Sequence, residues 1–197
     1  MRIVITNTKG GTGKTTSAMY LAAALSERGS VEVWDADPQG SASEWALRAE
    51  EDEMPLPFEV RSTNRAQLKR AGTSSADFLI IDTAPGDTQA INEALGVADM
   101  AIIPTSPGAM DMARTWSTEA EAAKVVDTFV LLVQVDSRTR SAGEAQDVLK
   151  DAGVGYFETV IPRREAIRQS FGSNLAGQKY GYESVVDELM EVAENGR

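Results

Sequence analysis

The ten residues 7–16, NTKGGTGKTT, constrain this chain more than any others. They follow a β-branched run, RIVIT at 2–6, and they open a helical pattern. A Gly-rich turn between a strand and a helix is where a phosphate loop belongs. Its glycines let backbone N–H groups converge on phosphate, and the start of the helix adds its dipole. The candidate nucleotide ligands are Gly10, Gly11, Thr12, Gly13, Lys14, Thr15 and Thr16. Lys14 suits the β/γ oxygens and the Thr15 hydroxyl suits Mg²⁺. A turn of this kind that binds nothing is the competing reading, and the flanking strand and helix weigh against it. The strict pattern G-x-x-x-x-G-K-[ST] wants glycine where this chain has Thr8, and it leaves a second lysine, Lys9, without a role.

Beyond the loop, short apolar runs alternate with longer amphipathic stretches. Strands are expected at about 2–6, 31–35, 57–61, 77–82, 99–104, 128–135 and 156–161. Helices are expected at about 14–28, 41–50, 64–71, 87–96, 109–125, 141–152, 164–177 and 182–194. FLIID, MAIIP and FVLLVQV are nearly continuous apolar runs, as in strands buried on both faces of a parallel sheet. The expected fold class is α/β: one domain over 1–197, with a mostly parallel sheet of about seven strands and helices on both faces. No leader is expected before the first strand, and no apolar run is long enough for a transmembrane helix. A cytoplasmic location is the expectation.

Asp35, Asp37 and Asp82 leave the tips of two expected strands, in VEVWDADPQGS and FLIIDTAPG. Ligands of an open α/β sheet bind beyond the carboxyl ends of its strands, so these acids should meet the glycine loop. Any one of them, taken alone, also suits a helix cap or a turn. Composition narrows the chemistry further. The 197 residues include no cysteine and no histidine, which excludes thiolate catalysis, iron–sulfur ligation and an imidazole base. Carboxylates, lysines, hydroxyls, backbone amides and a hard metal ion remain.

The trio KGGTGKTT, DADPQGS and IIDTAPG resembles the ParA family of deviant Walker ATPases, within the wider ParA/MinD group. ADMAIIPTSPGAMD and VIPRREAIRQSF extend the likeness over nearly the whole chain, in the small plasmid-type form that has no N-terminal DNA-reading domain. The resemblance implies a P-loop NTPase fold, ATP and Mg²⁺ as cofactors, and a slow ATPase stimulated by a partner. It implies that Lys9 reaches across a two-fold axis to the phosphates bound by the partner subunit, so that ATP becomes part of a homodimer interface. It points to Asp37 as the residue that orients the attacking water, with Asp35 and Asp82 supporting the metal beside Thr15. Lys9, Lys14 and Asp37 are thus the catalytic candidates. Pro162 and Arg163 follow a strand end and are expected to border the adenine.

The family typically binds DNA without sequence preference when dimeric. A formal charge of −11 argues against nucleic acid, but that charge is unevenly spread along the chain. Residues 44–53 hold five acids and one arginine, and the tail from Glu183 holds five acids against Arg197. Residues 61–76 carry Arg61, Arg65, Lys69 and Arg70 with no acid, and 137–181 carry seven basic and five acidic residues. Arg138, Arg140, Arg164, Arg168 and Lys179 are the DNA-binding candidates, Arg164 matching the family position best. RSTNRAQLKR is a second candidate patch. Solvated helix faces or intrachain ion pairs are the other reading of these cations. The acidic tail YESVVDELMEVAENGR argues against a membrane-docking helix, and its apolar positions suit packing on the body. The expected function is therefore ATP-dependent partition of plasmid or chromosomal DNA on the nucleoid, through a small DNA-bound ParB-like adaptor. Positioning of a protein assembly, a nucleotide-dependent switch, and an ATP-dependent ligase or kinase are the alternatives.

Overall fold

The computed structural model describes residues 1–195; Arg197 lies outside them. Six strands form one parallel sheet: β1 (Arg2–Ile5), β2 (Val31–Ala36), β3 (Glu59–Ser62), β4 (Phe78–Thr83), β5 (Met100–Thr105) and β6 (Asp127–Leu132). Their spatial order is β3-β2-β4-β1-β5-β6. β4 and β5 flank β1 and are buried along their whole lengths, which is why their sequences read as unbroken apolar runs. The helices are α1 (Lys14–Leu25), α2 (Ser41–Glu51), α3 (Arg65–Leu68), α4 (Thr88–Leu95), α5 (Ala109–Ala122), α6 (Ser141–Asp151), α7 (Glu165–Arg168) and α8 (Tyr182–Asn195). The P-loop order places β1 in the centre of the sheet, so the loop after it opens at the middle of the carboxyl edge.

Two expectations need correction. The sheet has six strands, not seven. The segment expected as a strand at 156–161 makes only isolated bridges to β6 and its extension, Tyr156 with Val130 and Pro162 with Val135. The reason lies between those bridges. The Glu158 and Thr159 amides donate to the Glu188 carboxylate of α8, at 2.7 and 2.8 Å; Phe157 and Ile161 turn their amides to β6, so it is the Thr159 amide between them that is lost to the ladder. The helix expected at 164–177 shrinks to the four residues of α7. Gly172 and Leu175 both take positive φ, 86° and 55°, which a helix cannot accommodate.

One face of the sheet is covered by α1 and α8. Ala18 to Leu25 of α1 are buried without a break, because the helix has the sheet on one side and α8 on the other. Val185, Val186 and Leu189 supply the apolar face of α8, so the amphipathic tail packs on the body as its pattern suggests. No described helix is long and apolar enough to cross a membrane.

Candidate nucleotide site

The loop between β1 and α1 is held open by backbone conformation and by α5. Gly11 and Gly13 take φ of 74° and 85°, a left-handed geometry that side chains disfavour. Gly13 is the N-cap of α1 and supplies no side-chain cap, so the first amides of the helix stay free for a ligand. Asn7 is buried and bridges the loop to the sheet: its Nδ2 donates to the Pro104 carbonyl, and its Oδ1 accepts from the Lys9 amide, both at 3.0 Å. Thr8, where the strict pattern has glycine, shares a 3.1 Å hydroxyl contact with Thr118 of α5. The departure at position 8 is therefore an anchor onto a helix.

Lys14 is 6% exposed, and its ammonium donates to the Lys9 carbonyl at 3.0 Å. Burial pushes its pKa below the ordinary lysine value, and the Asp82 and Asp37 charges only partly offset this. A polyphosphate supplies the missing counter-charge. Gly10, Gly11, Gly13, Lys14, Thr15, Thr16 and Asp37 line one cavity of about 320 Å³, so the phosphate loop and Asp37 do converge. Thr12 is buried beneath the loop, its hydroxyl directed at the Lys9 carbonyl.

Asp82, at the tip of β4, accepts the Thr15 hydroxyl at 2.6 Å. Its second oxygen, Oδ1, is buried with no partner. Burial raises its pKa to about 7, helped by Asp35 and opposed by Thr15 and Lys14. A buried carboxylate with an orphaned oxygen beside a threonine hydroxyl fits a cation. Among the described residues no group of three or more carboxylates stands ready to hold a metal alone. The residues therefore fit Mg²⁺ delivered with the oxygens of ATP, Thr15 as its hydroxyl ligand and Asp82 behind it.

Asp35 is placed differently from expectation. It is buried, and both oxygens are occupied by its own loop: Oδ1 accepts from the Asp37 amide, Oδ2 from the Ser43 amide and hydroxyl, the last two at 2.8 Å. It shapes the turn that presents Asp37 and anchors the first turn of α2, which has no side-chain cap at Gly40. Asp37 itself is half-buried, with Oδ1 accepting from the Gln39 amide at 2.9 Å.

Lys9 points away from the pocket served by Lys14. Its ammonium pairs with Asp111 in the first turn of α5, and Asp111 also accepts from Ser106. The lysine side chain stays 42% exposed. The sequence reading missed Asp111, and only the spacing of SPGAMD after β5 could have signalled it.

Pro162 and Arg163 line a second cavity of about 330 Å³ with Gly13, Thr16 and Gln134, directly beside the start of α1. Gln134 also borders the phosphate cavity, has φ of 56°, and its amide lies 3.4 Å from the Gly11 carbonyl. The structure brings Arg164 and Arg168 to this same rim, with Arg168 paired to Glu165. Arg138 is held by both oxygens of Asp136, and Arg140 is exposed at the start of α6. Lys179 is a correction: it is 7% exposed and donates to the exposed Glu27 at 2.6 Å, so its charge is neutralised by an intrachain partner.

Comparison with known proteins agrees with this geometry. Residues 3–176 match the model of the CobQ/CobB/MinD/ParA nucleotide binding domain. The maintenance of carboxysome distribution protein A of Gloeobacter kilaueensis is 34% identical over 203 residues, covering 95% of this chain and 93% of its own. A plasmid partition protein of Borrelia burgdorferi, solved with AMPPNP, superposes with a TM-score of 0.79 at 19% identity, over 96% of this chain and 98% of its own. The pNOB8 ParA protein, solved bound to nonspecific DNA, superposes with a TM-score of 0.70 at 17% identity, over 100% and 99%. The loop, the aspartates at the strand tips and the matched family coincide: this chain belongs to the CobQ/CobB/MinD/ParA nucleotide-binding family and has the fold of its ParA and MinD branch.

Proposed function

We propose that this protein is a Mg²⁺-dependent ATPase, working over its whole length as one unit, that closes into a homodimer around ATP and positions a cargo. The observation that carries this reading is the placement of Lys9. Lys14 already occupies the buried phosphate position, so a second buried cation there is superfluous. Lys9 instead sits exposed at the lip of the loop with its ammonium on Asp111. A triphosphate with Mg²⁺ keeps excess negative charge, and hydrogen bonds to charged groups contribute roughly 1.5–3 kcal/mol each. A lysine presented outward at the phosphate edge meets such a charge when a second subunit faces it.

In this reading Thr15 and Asp82 hold Mg²⁺, Asp37 orients the attacking water, and Pro162 and Arg163 border the base. Positioning and electrostatics dominate phosphoryl transfer, so basal turnover is slow and a partner accelerates it. The dimer binds DNA without sequence preference, through Arg164 with Arg140 and the other rim arginines, and works on the nucleoid. Two cargoes fit this description. A plasmid or chromosomal complex, bound through a ParB-like adaptor, is one; the partition protein among the fold neighbours supports it. A protein assembly is the other, favoured by the 34% identical relative named for carboxysome distribution.

The test is light scattering with ATP and Mg²⁺. Wild type is expected to dimerise, and Lys9→Ala to stay monomeric while still binding ATP. Asp37→Ala should dimerise but release phosphate slowly. Lys9→Ala dimers of wild-type strength would overturn the reading.

A further inference from the structure

The basic stretch RSTNRAQLKR is not used by the nucleotide site, and the fold builds a second pocket from it. β3 is an edge strand, and a cavity of about 270 Å³ opens where it runs into α3. Arg61 and Arg70 line it, with the side chains of Ser62, Thr63 and Gln67 between them. Arg61 is preorganised. Its guanidinium lies 4.3 Å over the buried Trp34 ring, and Glu32 steadies it at 3.8 Å while also accepting from the Trp34 indole N–H at 3.0 Å. Stacking leaves the N–H edge of a guanidinium free to offer a planar fork. Its side chain is 48% exposed. The neighbouring cations are already engaged, Lys69 by Glu93 and Arg65 by Gln89. Arg70 is exposed and makes no ion pair among the described residues.

We infer that this pocket is a docking site for an acidic peptide segment of a partner protein, held by its carboxylates on Arg61 and Arg70. The geometry favours carboxylate over nucleic acid. Nonspecific duplex binding needs many phosphate contacts along a broad basic face. Here only two cations line the recess: Arg70 makes no ion pair among the described residues, and Arg61 has only the long 3.8 Å contact with Glu32. Two arginines in a recess, one of them stacked, match one or two carboxylates bidentately. The exposed edge of β3 adds unpaired backbone groups for an extended segment.

The pocket also reaches the nucleotide site. The Thr63 amide donates to the Asp35 carbonyl at 2.8 Å, and Ser62 stands opposite Asp35 in the β2–β3 register. Asp35 in turn holds the Asp37 amide. Asp35 thus links the backbone of this pocket to the turn that carries Asp37. The site is defined without reference to ATP turnover, so its test reads independently of the proposed function.

The experiment titrates a decaglutamate peptide into the isotopically labelled protein without nucleotide, and follows the Trp34 indole N–H resonance, assigned with Trp34→Phe. A ten-nucleotide oligothymidylate is titrated in parallel. The expected result is a saturable shift with decaglutamate, weakened at least tenfold in Arg61→Gln/Arg70→Gln and unchanged in Arg163→Gln/Arg164→Gln. The spectrum of the first double variant also shows whether it is folded, and Arg70→Gln alone, which leaves the Trp34 stack intact, should still weaken binding. No saturable shift with the peptide, or equal binding by the variants, would overturn the proposal. Binding of oligothymidylate alone, lost in the same variants, would overturn it in favour of a phosphate site.

Discussion

Asp82 carries an electrostatic cost that a proton or a bound cation relieves. One of its oxygens rests on Thr15, the other is buried without a partner, and its pKa is raised to about 7. The unfolded value is the ordinary one near 3.9. Between those two values the folded, metal-free protein holds a proton that the unfolded chain has released. Stability from this group is thus full at low pH, falls as pH rises from about 4 to 7, and stays low above that. Asp82→Asn is expected to remove this slope and to stabilise the metal-free protein at pH 8 by on the order of 3 kcal/mol, while weakening Mg²⁺-dependent ATP binding. Thermal melts at pH 5 and pH 8, with and without Mg-ATP, check both halves. A variant less stable than wild type at pH 8 would show that the Thr15 contact outweighs the buried charge.

At the scale of elements, α8 is the piece on which α1 depends, and α1 carries the phosphate loop. Leu189 is fully buried in the shared core, whereas the charged face of α8 is exposed. Leu189→Ala is expected to cost about 2–5 kcal/mol in urea unfolding, with ATP affinity in the folded protein unchanged. The neighbouring Asp187 pairs with Arg28, just beyond the end of α1 opposite to Gly13, so a large loss of ATP affinity would mean that α8 sets the loop's geometry. Elements that bury an apolar stripe were legible in the sequence for this same reason: α2, α4, α5 and α6 fall within a few residues of expectation. What pattern could not show was competition for backbone amides. Residues 156–161 have a strand's composition, yet Glu188, about thirty positions later, takes the Thr159 amide that a ladder with β6 needs. The candidate site divides in the same way. Gly11, Gly13, Lys14, Thr15, Asp37 and Asp82 announce themselves by local chemistry at strand tips. Asp111 holding Lys9, Asp35 spent on its own loop and Lys179 paired with Glu27 are long-range or loop-closing contacts, and no short motif encodes them.

For the whole molecule, the proposed DNA binding has to be reconciled with a net charge of −11. A dimer carries twice that charge, so long-range attraction is absent and only close contacts can hold DNA. Such contacts release counterions, and the logarithm of affinity falls with the logarithm of salt by about 0.9 for each phosphate engaged. Arg164 is exposed, makes no ion pair among the described residues and stands at the rim of the cavity beside α1. In the proposed dimer, two-fold symmetry would bring it to the DNA twice. Arg164→Gln is therefore expected to lower the salt slope by about 2, one unit per subunit, and to weaken binding equally on any sequence. Arg138→Gln should change the slope less, since Asp136 already neutralises that guanidinium. Lys179→Gln should leave the slope alone, because that ammonium is little exposed and already paired with Glu27. The measurement is fluorescence anisotropy of a random-sequence duplex between low and moderate salt, with no nucleotide, ADP, or ATP and Mg²⁺. Binding confined to the ATP state, with this ranking of slopes, would place the DNA face beside the nucleotide. An unchanged slope for Arg164→Gln would move that face elsewhere on the molecule, and binding that ignores nucleotide would separate it from the dimer altogether.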